Sequence, residues 1–471
     1  MNERGIDFMR LFLFVFAAFV LFGCLADEGP GIGWGGNATG GAGGQSNQQP
    51  GGSSGGTPGS GHTNISGELI QPSDITYVGA FRLPGPSGGS DWGYSGYAAT
   101  HYPDGDAEGA DDGYPGSLFA IGHDQDQQVS EISIPVPVIS AGKDAGELNE
   151  ASTLQPFSDI TGGTFGYLEI PRAGLEYLPP QGQQLTGKLY FSWGQHFEFE
   201  RKPTHGWAET DLSNPQPAGA WHLDWYSAYT TNDYIFAIPK SWADENTPGL
   251  LLATGRFRDG LWSGRGPALY AYGPWTEGNP PAPGSVLANV TPLLRYGVQE
   301  PGAIDIASNE SEAMDGFSEA DEWSGGEWLI AGNKSAVVFI GTKALGRTWY
   351  GFSNGVEYPT SGAPDEVYPE VPPWPNDQRG WWAEDIEARI MFYDPADLAA
   401  VANGEIETWE PQPYATISID EYLFDPGYDY ERGKMTLIGD TAYDRKNGFL
   451  YIFERLADEE EKSIVHVFQV R

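Results

Sequence analysis

The sequence predicts an all-β protein: a β-propeller of five four-stranded blades, closed by an N-terminal strand pairing with the C-terminal blade. Three observations predict it. A short apolar run that climbs to a glycine or aromatic residue and then breaks on a polar one recurs five times, at Gly116–His123, Lys188–His196, Gly249–Arg256, Ser335–Thr342 and Gly448–Arg455. Repetition at long, similar intervals is the signature of a repeated supersecondary unit. Each run is flanked by further strand-length segments bounded by Gly, Pro, Asn and Asp. Finally, the strand pattern Ile75–Arg82 belongs to no unit, and the last unit ends at the C-terminus with Ile464–Val470. The first supplies the outer strand that the last unit lacks, and a closed ring of blades leaves no long edge exposed.

The elements follow in order. First strands are expected at Gly96–Tyr102, Gly174–Leu178, Asp233–Ile238, Gly326–Ala331 and Gly439–Tyr443, with the repeated runs as second strands. Third strands are expected at Val129–Ile134, Gly219–Leu223, Ala268–Tyr272, Ala388–Tyr393 and Ile464–Phe468. Fourth, more polar strands fall at Leu154–Ile160, Val290–Leu294 and Tyr414–Ile419, and near Tyr226–Thr230 in the second unit. The only helical signal is a turn or two at Asp397–Asn403. Six or seven blades follow instead if two units have been merged. Residues 347–385 break the repeat as a long Pro-rich insertion carrying Trp349, Tyr350, Tyr358, Tyr368, Trp374, Trp381 and Trp382. Loops of that length inside a compact domain are uncommon, and the aromatic content argues for ordered packing.

Residues 1–24 read as a lipoprotein signal peptide: Arg4 and Arg10 flank the polar start, residues 11–22 are apolar, and the segment ends at Cys24. The apolar stretch is short for a membrane span. Cys24 is the single cysteine of the chain, so it is the expected lipidation site, and the remainder has no disulfide and no Cys-based metal site. Residues 25–67 are rich in Gly, Ser, Asn and Gln with almost no large apolar side chain, the composition of a disordered linker. Its expected reach as a Gly-rich coil is roughly 35 Å. Residues 68–471 are expected to form a single propeller domain. These features point to an exported protein of a bacterial cell envelope, monomeric, held at the outer membrane or cell surface through Cys24 alone.

Acidic residues number 65 against 25 basic ones, a formal charge of −40. That balance argues against nucleic acid as a partner, because backbone binding needs a basic surface. An acidic, solvated skin is its ordinary meaning.

Strand direction places the candidate site. In an up-and-down blade the start of strand one and the end of strand two lie on the same face. The second-strand ends bring His123, His196, Arg256, Thr342 with Lys343, and Arg455 to one mouth of the central channel. The first-strand starts bring Tyr94, Asp233, Glu327 and Asp440, and Asp315, Glu384, Asp385 and the aromatic insertion with Trp381 and Trp382 leave from the same side. Salt-bridged filler is the bland explanation of these charges. A lyase acting on uronic-acid polymers would take His123 or His196 as base and Arg256 or Arg455 as carboxylate neutraliser. A glycosidase would take two carboxylates from Asp233, Asp315, Glu384 and Asp440. Two carboxylates about 5–10 Å apart in a cleft would favour hydrolysis, and His123 with Arg256 around an open groove beside a tyrosine would favour elimination. A mouth filled by paired charges would count against both. The expected function is therefore binding, and in one reading cleavage, of a carbohydrate polymer; the alternative is a non-catalytic scaffold or protein-interaction propeller. His222 and His466 fall mid-strand and read as structural. The run Asp104–Asp112 matches the opening of a calcium loop at Asp104, Asp106 and Glu108, but Pro115 stands where the bidentate Glu belongs. Any calcium there would be structural and on the opposite face.

Several segments (Leu69–Pro84, Gly116–Asp124, Arg389–Leu398, Pro413–Thr416 and Val465–Phe468) resemble a group of secreted bacterial proteins of uncharacterised function. The resemblance spans most of residues 69–471 and implies a shared propeller-like domain, with no activity or catalytic residue to transfer. In architecture alone the chain is similar to five-bladed glycoside hydrolases and, if seven-bladed, to propeller polysaccharide lyases. Fold analogy does not establish function.

Overall fold

The computed structural model describes residues 67–471 except 107–108, 197, 199, 257–261, 361–365 and 430–433. The expected signal, nearly all of the linker, Cys24 and Glu108 lie outside the described residues. The strand-length apolar runs form five small antiparallel sheets in a ring, a five-bladed β-propeller. The chain opens with β1 (Ile75–Arg82), and blade one follows as β2 (Ala99–Tyr102), β3 (Ser117–Ile121), β4 (Val129–Ser133) and β5 (Thr153–Ser158). Blade two is β6 (Pro171–Leu178), β7 (Lys188–Gln195), β8 (His205–Ala208) and β9 (Ala218–Leu223). Blade three is β10 (Ile235–Ala237), β11 (Leu252–Thr254), β12 (Leu269–Tyr272) and β14 (Val290–Leu294), with β13 (Val286–Leu287) reaching back to lie parallel to β9. Blade four is β15 (Glu322–Ala331), β16 (Lys334–Phe352), β17 (Arg379–Tyr393) and β18 (Ala415–Ser418). Blade five is β19 (Ile438–Asp444), β20 (Phe449–Glu454) and β21 (Ile464–Val470), completed by β1.

The closure expected from the sequence is present: β1 runs antiparallel to β21 from Ile75 opposite Val470 to Arg82 opposite Ile464. The hydrophobic cores lie between neighbouring blades, as radial packing requires. Phe81, Trp92, Leu118, Ile132, Tyr451 and Val465 fill the seam of blades five and one. Phe119, Val129, Leu175, Leu189 and Trp193 fill that of blades one and two. Val338, Ile390, Ile452 and Phe468 pack together between blades four and five.

The recurrent glycine of the second strands has a steric origin. A Cβ on Gly255 would run into the Ala268 carbonyl, and one on Gly341 into that of Glu322. Backbone obstructs in both cases, so a side chain there forces the strands apart.

Two expectations need correction. The third strand of blade two is β8, and the segment around Gly219–Leu223 is the fourth; Ala228–Thr231, near the expected fourth strand, is a single helical turn. The short run His205-Gly-Trp-Ala carries too few apolar residues to announce a strand. The insertion at 347–385 is also less irregular than expected. Its flanks prolong β16 and β17 into a hairpin arm, with Trp349 opposite Trp382, Tyr350 opposite Trp381, and a register shift between Leu345 and Thr348.

Candidate functional site

The face carrying the starts of the inner strands is here called the upper face. At its centre stand Tyr97, Arg172, Asp233, Glu322 and Asp440, one from the inner strand or its approach in each blade. Arg172 is the hub. Its Nε lies 4.0 Å from Asp233 Oδ1 and its Nη2 3.8 Å from Glu322 Oε1. Its guanidinium sits 4.9 Å from the centre of the Tyr97 ring, and that of Arg455 sits 4.0 Å from the same ring. Burial opposes the charge on Arg172, but Tyr97, Glu322 and Asp233 more than offset it and raise its pKa.

Arg256 is fully buried. It donates to the carbonyls of Ala228 and His196 and to His196 Nδ1, at 3.0, 3.1 and 3.1 Å, and its Nε is 3.6 Å from Asp233 Oδ2. Asp233 thus faces two guanidiniums. His196 commits its Nδ1 lone pair to an arginine that can only donate, so its neutral ring carries the proton on Nε2.

His123 has the same tautomer for another reason. The Gln125 N–H donates to Nδ1 at 3.2 Å, leaving Nε2–H as the outward group. The edge of Tyr94 lies against this ring, 5.6 Å between centres. Asp124 Oδ1 is 3.4 Å from Nδ1. Burial raises the Asp124 pKa, opposed by Arg455, His123 and Arg172. In that tautomer His123 offers a donor rather than a base. The elimination geometry, with Arg256 open beside a groove, is not what these residues form.

Deeper in the channel lies a second group. Arg445, from the turn joining β19 and β20 on the lower face, meets Glu176 Oε1 at 3.0 Å and Glu327 Oε1 at 2.6 Å. Thr100 Oγ1 donates to Glu176 Oε2 at 2.9 Å. Burial pushes the Glu327 pKa up to about 8, with Arg445 opposing and Glu176 adding to the rise. Asp440 is raised as well, chiefly by burial; its Oδ2 accepts from the Ala99 N–H at 3.0 Å, joining blade five to blade one.

The expected site residues therefore divide. Tyr94 and His123 are brought together. Asp233 meets Arg172 directly, and Arg455 shares the Tyr97 ring with it. Glu327 belongs to the channel interior, because β15 begins at Glu322, several residues before the expected start, and Glu322 takes the mouth position. Asp440 serves as an inter-blade hydrogen-bond acceptor. Lys343 is buried against Asp321 at 2.7 Å. Asp315 stays exposed on the rim, its N–H bonded to Gln412 Oε1 at 2.7 Å. Trp381, Trp382, Glu384 and Asp385 lie on the arm, where Trp382 is buried and donates to the Gly351 carbonyl at 3.1 Å. His466 is structural, bonded to Glu454 at 2.9 Å. Asp104 and Asp106 occupy the β2–β3 connection on the lower face; among the described residues no three His, Cys, Asp or Glu side chains group as a metal site would need.

Sequence reasoning missed Tyr97, Asp124, Arg172 and Glu322 at the mouth, and Glu176 and Arg445 below it. Asp124 directly follows His123, and Arg172 precedes Gly174 by two positions, so a later end to the first run and an earlier start to the strand at Gly174 would have found both. No protein-family model matches the chain, and no curated protein does.

Proposed function

We propose that the chain is a carbohydrate-binding propeller of the cell envelope, which engages its ligand at the upper mouth without cleaving it. One observation carries the preference for binding: the charged groups at the mouth are set against one another, Arg172 against Asp233 and Glu322, and Arg256 against Asp233. Such pairing leaves the carboxylates poorly suited to proton transfer, while Tyr94, His123 and Arg172 supply the ring edge and donors that sugars need. A panel of polysaccharides tests this directly. Retention of at least one polymer on the immobilised protein is expected, with no new absorbance at 235 nm and no new reducing ends. Release of reducing ends, lost in Asp233→Asn, would replace binding by hydrolysis.

A second reading, as a scaffold for another protein, is favoured by the exposed Val367, Tyr368, Val371 and Trp374 on the arm. It predicts capture of a protein partner that survives removal of Tyr94 but not of Trp374. Attachment at the envelope is supported by the apolar stretch and Cys24. Expressed in a bacterial host, the full chain is expected in the membrane fraction and Cys24→Ser in the soluble one. Equal partition of the two would exclude the lipid anchor.

A further inference from the structure

We infer that residues 366–373 of the blade-four arm form a ready-made polyproline II segment, which docks into an aromatic-lined groove of a partner protein through the row Tyr368, Val371 and Trp374. The inference rests on the reading of the arm as a protein-binding surface, names its docking segment and class of partner, and is independent of what the mouth binds.

Sequence chemistry constrains the backbone first. Pro369, Pro372 and Pro373 lie in this segment. Each proline holds φ near −65°, and the residue ahead of a proline is driven into an extended conformation. Tyr368, Val371 and Pro372 all stand in that preceding position. Residues 366–373 accordingly form neither helix nor strand. The prolines also lack the N–H groups that pairing with a sheet edge needs, so strand addition is closed to the segment. A polyproline II helix needs no internal hydrogen bonds and turns once every three residues.

Burial repeats with that period. Glu366, Pro369 and Pro372 are half-buried, and every residue between them is exposed, as are Pro373 and Trp374. One row of the helix therefore faces the arm and two face solvent. The outward rows differ in chemistry. Val367, Glu370 and Pro373 include a carboxylate, whereas Tyr368, Val371 and Trp374 are apolar or aromatic throughout, at 51, 64 and 52% exposure. At 3.1 Å per residue this second row runs for roughly 19 Å.

The arm holds the segment near both ends. The Tyr368 ring centre lies 5.1 Å from that of Tyr358, whose N–H donates to the Tyr350 carbonyl at 2.8 Å. At the other end the Asn376 N–H donates to the Pro373 carbonyl at 3.1 Å, and Ser353 Oγ donates to Asn376 Oδ1 at 2.7 Å. A chain already held in its bound shape loses less entropy on docking.

These features select the partner. A polyproline II ridge is read by grooves lined with aromatic rings, and Trp and Tyr are the side chains that most often anchor an interface. The carboxylates of Glu366 and Glu370 flank the row, and the chain carries a formal −40. An anionic lipid surface is mismatched to that charge, and a groove with a basic rim complements it.

The test titrates the full protein into a panel of isolated WW and SH3 domains, generic readers of polyproline II, followed by fluorescence anisotropy of the labelled domain. At least one reader is expected to bind. Its affinity should fall at least about tenfold in Val371→Ser, in Trp374→Ser and in the double variant Pro369→Gly with Pro372→Gly. Val367→Ser is expected to change it less than about twofold, although Val367 is the most exposed of the four apolar residues at 86%. All these variants should keep the parental melting temperature, because the residues lie outside the buried cores. No binding by any reader, or a larger loss in Val367→Ser than in Val371→Ser, would overturn the inference. Adsorption to phosphatidylcholine vesicles that is lost in Trp374→Ser would overturn it in favour of a lipid surface. A protein recovered from bacterial envelope extract that needs Trp374 but tolerates the proline changes would overturn it and leave the scaffold reading standing. Recovery that ignores Trp374 would remove the scaffold reading from the arm as well.

Discussion

A chain lacking residues 67–82 is expected to lose its folded monomer altogether. The missing strand leaves the whole of β21 as an open edge and uncovers the neighbours of Phe81, such as Tyr451, Val465 and Val467, in the seam of blades five and one. Unpaired edges of this kind seek partners in other chains. Exposure of one large buried side chain alone costs about 1.5–3 kcal/mol, and the strand carries fully buried Ala80 and Phe81 besides its ladder of hydrogen bonds. Size-exclusion chromatography should find aggregate, circular dichroism should find no cooperative melt, and a synthetic peptide of residues 67–84 added during refolding should restore both. A truncated chain that melts at the parental temperature would show that the ring does not depend on its closing strand.

The second large effect lies at the other end of the channel. Arg445→Met leaves Glu176 and Glu327 buried together without their shared cation, and the carboxylate of Asp440 nearby adds to the repulsion. Breaking a buried ion pair at one partner costs about 3–5 kcal/mol, and Arg445 is partly exposed, so a loss of about 3 kcal/mol is expected by urea denaturation above pH 8, where Glu327 is ionised. The pH dependence has a definite sign. Burial raises the Glu327 pKa from 4.5 to about 8. The folded state therefore binds more protons than the unfolded one between those values, and stability falls as pH rises through them. Glu327→Gln should flatten that fall between pH 4.5 and 8 relative to the parent. Parallel profiles for the two proteins would place the ionisation of Glu327 outside the stability of the channel.

The fold was legible because its signals are local and repeated. Four of the five second-strand runs carry a glycine in the same place, and at each of them a Cβ would press on neighbouring atoms. The unclaimed Ile75–Arg82 pattern announced ring closure. Polar strand ends were harder. β15 starts with Glu322-Trp-Ser, so an apolar criterion began the strand at Gly326 and brought Glu327 to the mouth in place of Glu322. Arg172 was lost in the same way at the start of β6. Arg445 sits in a turn, and no periodicity relates it to Glu176 and Glu327; only the closed ring sets those residues side by side. The tautomers of His123 and His196 follow from a backbone N–H and from a guanidinium, neither of which can accept, and one-dimensional spacing contains neither relation.

The chain ahead of β1 is fastened before the closing strand begins. The Ile70 N–H donates to the Ser335 carbonyl at 3.2 Å, the Ser335 N–H to the Glu68 carbonyl at 3.1 Å, and Lys334 Nζ to Asp74 Oδ1 at 2.6 Å. Any tension arriving from residue 67 is taken up first by blade four, and reaches the β1–β21 pairing only after this clamp has given way. Drag on the N-terminus would thus be borne by a part of the ring whose loosening leaves the seal intact.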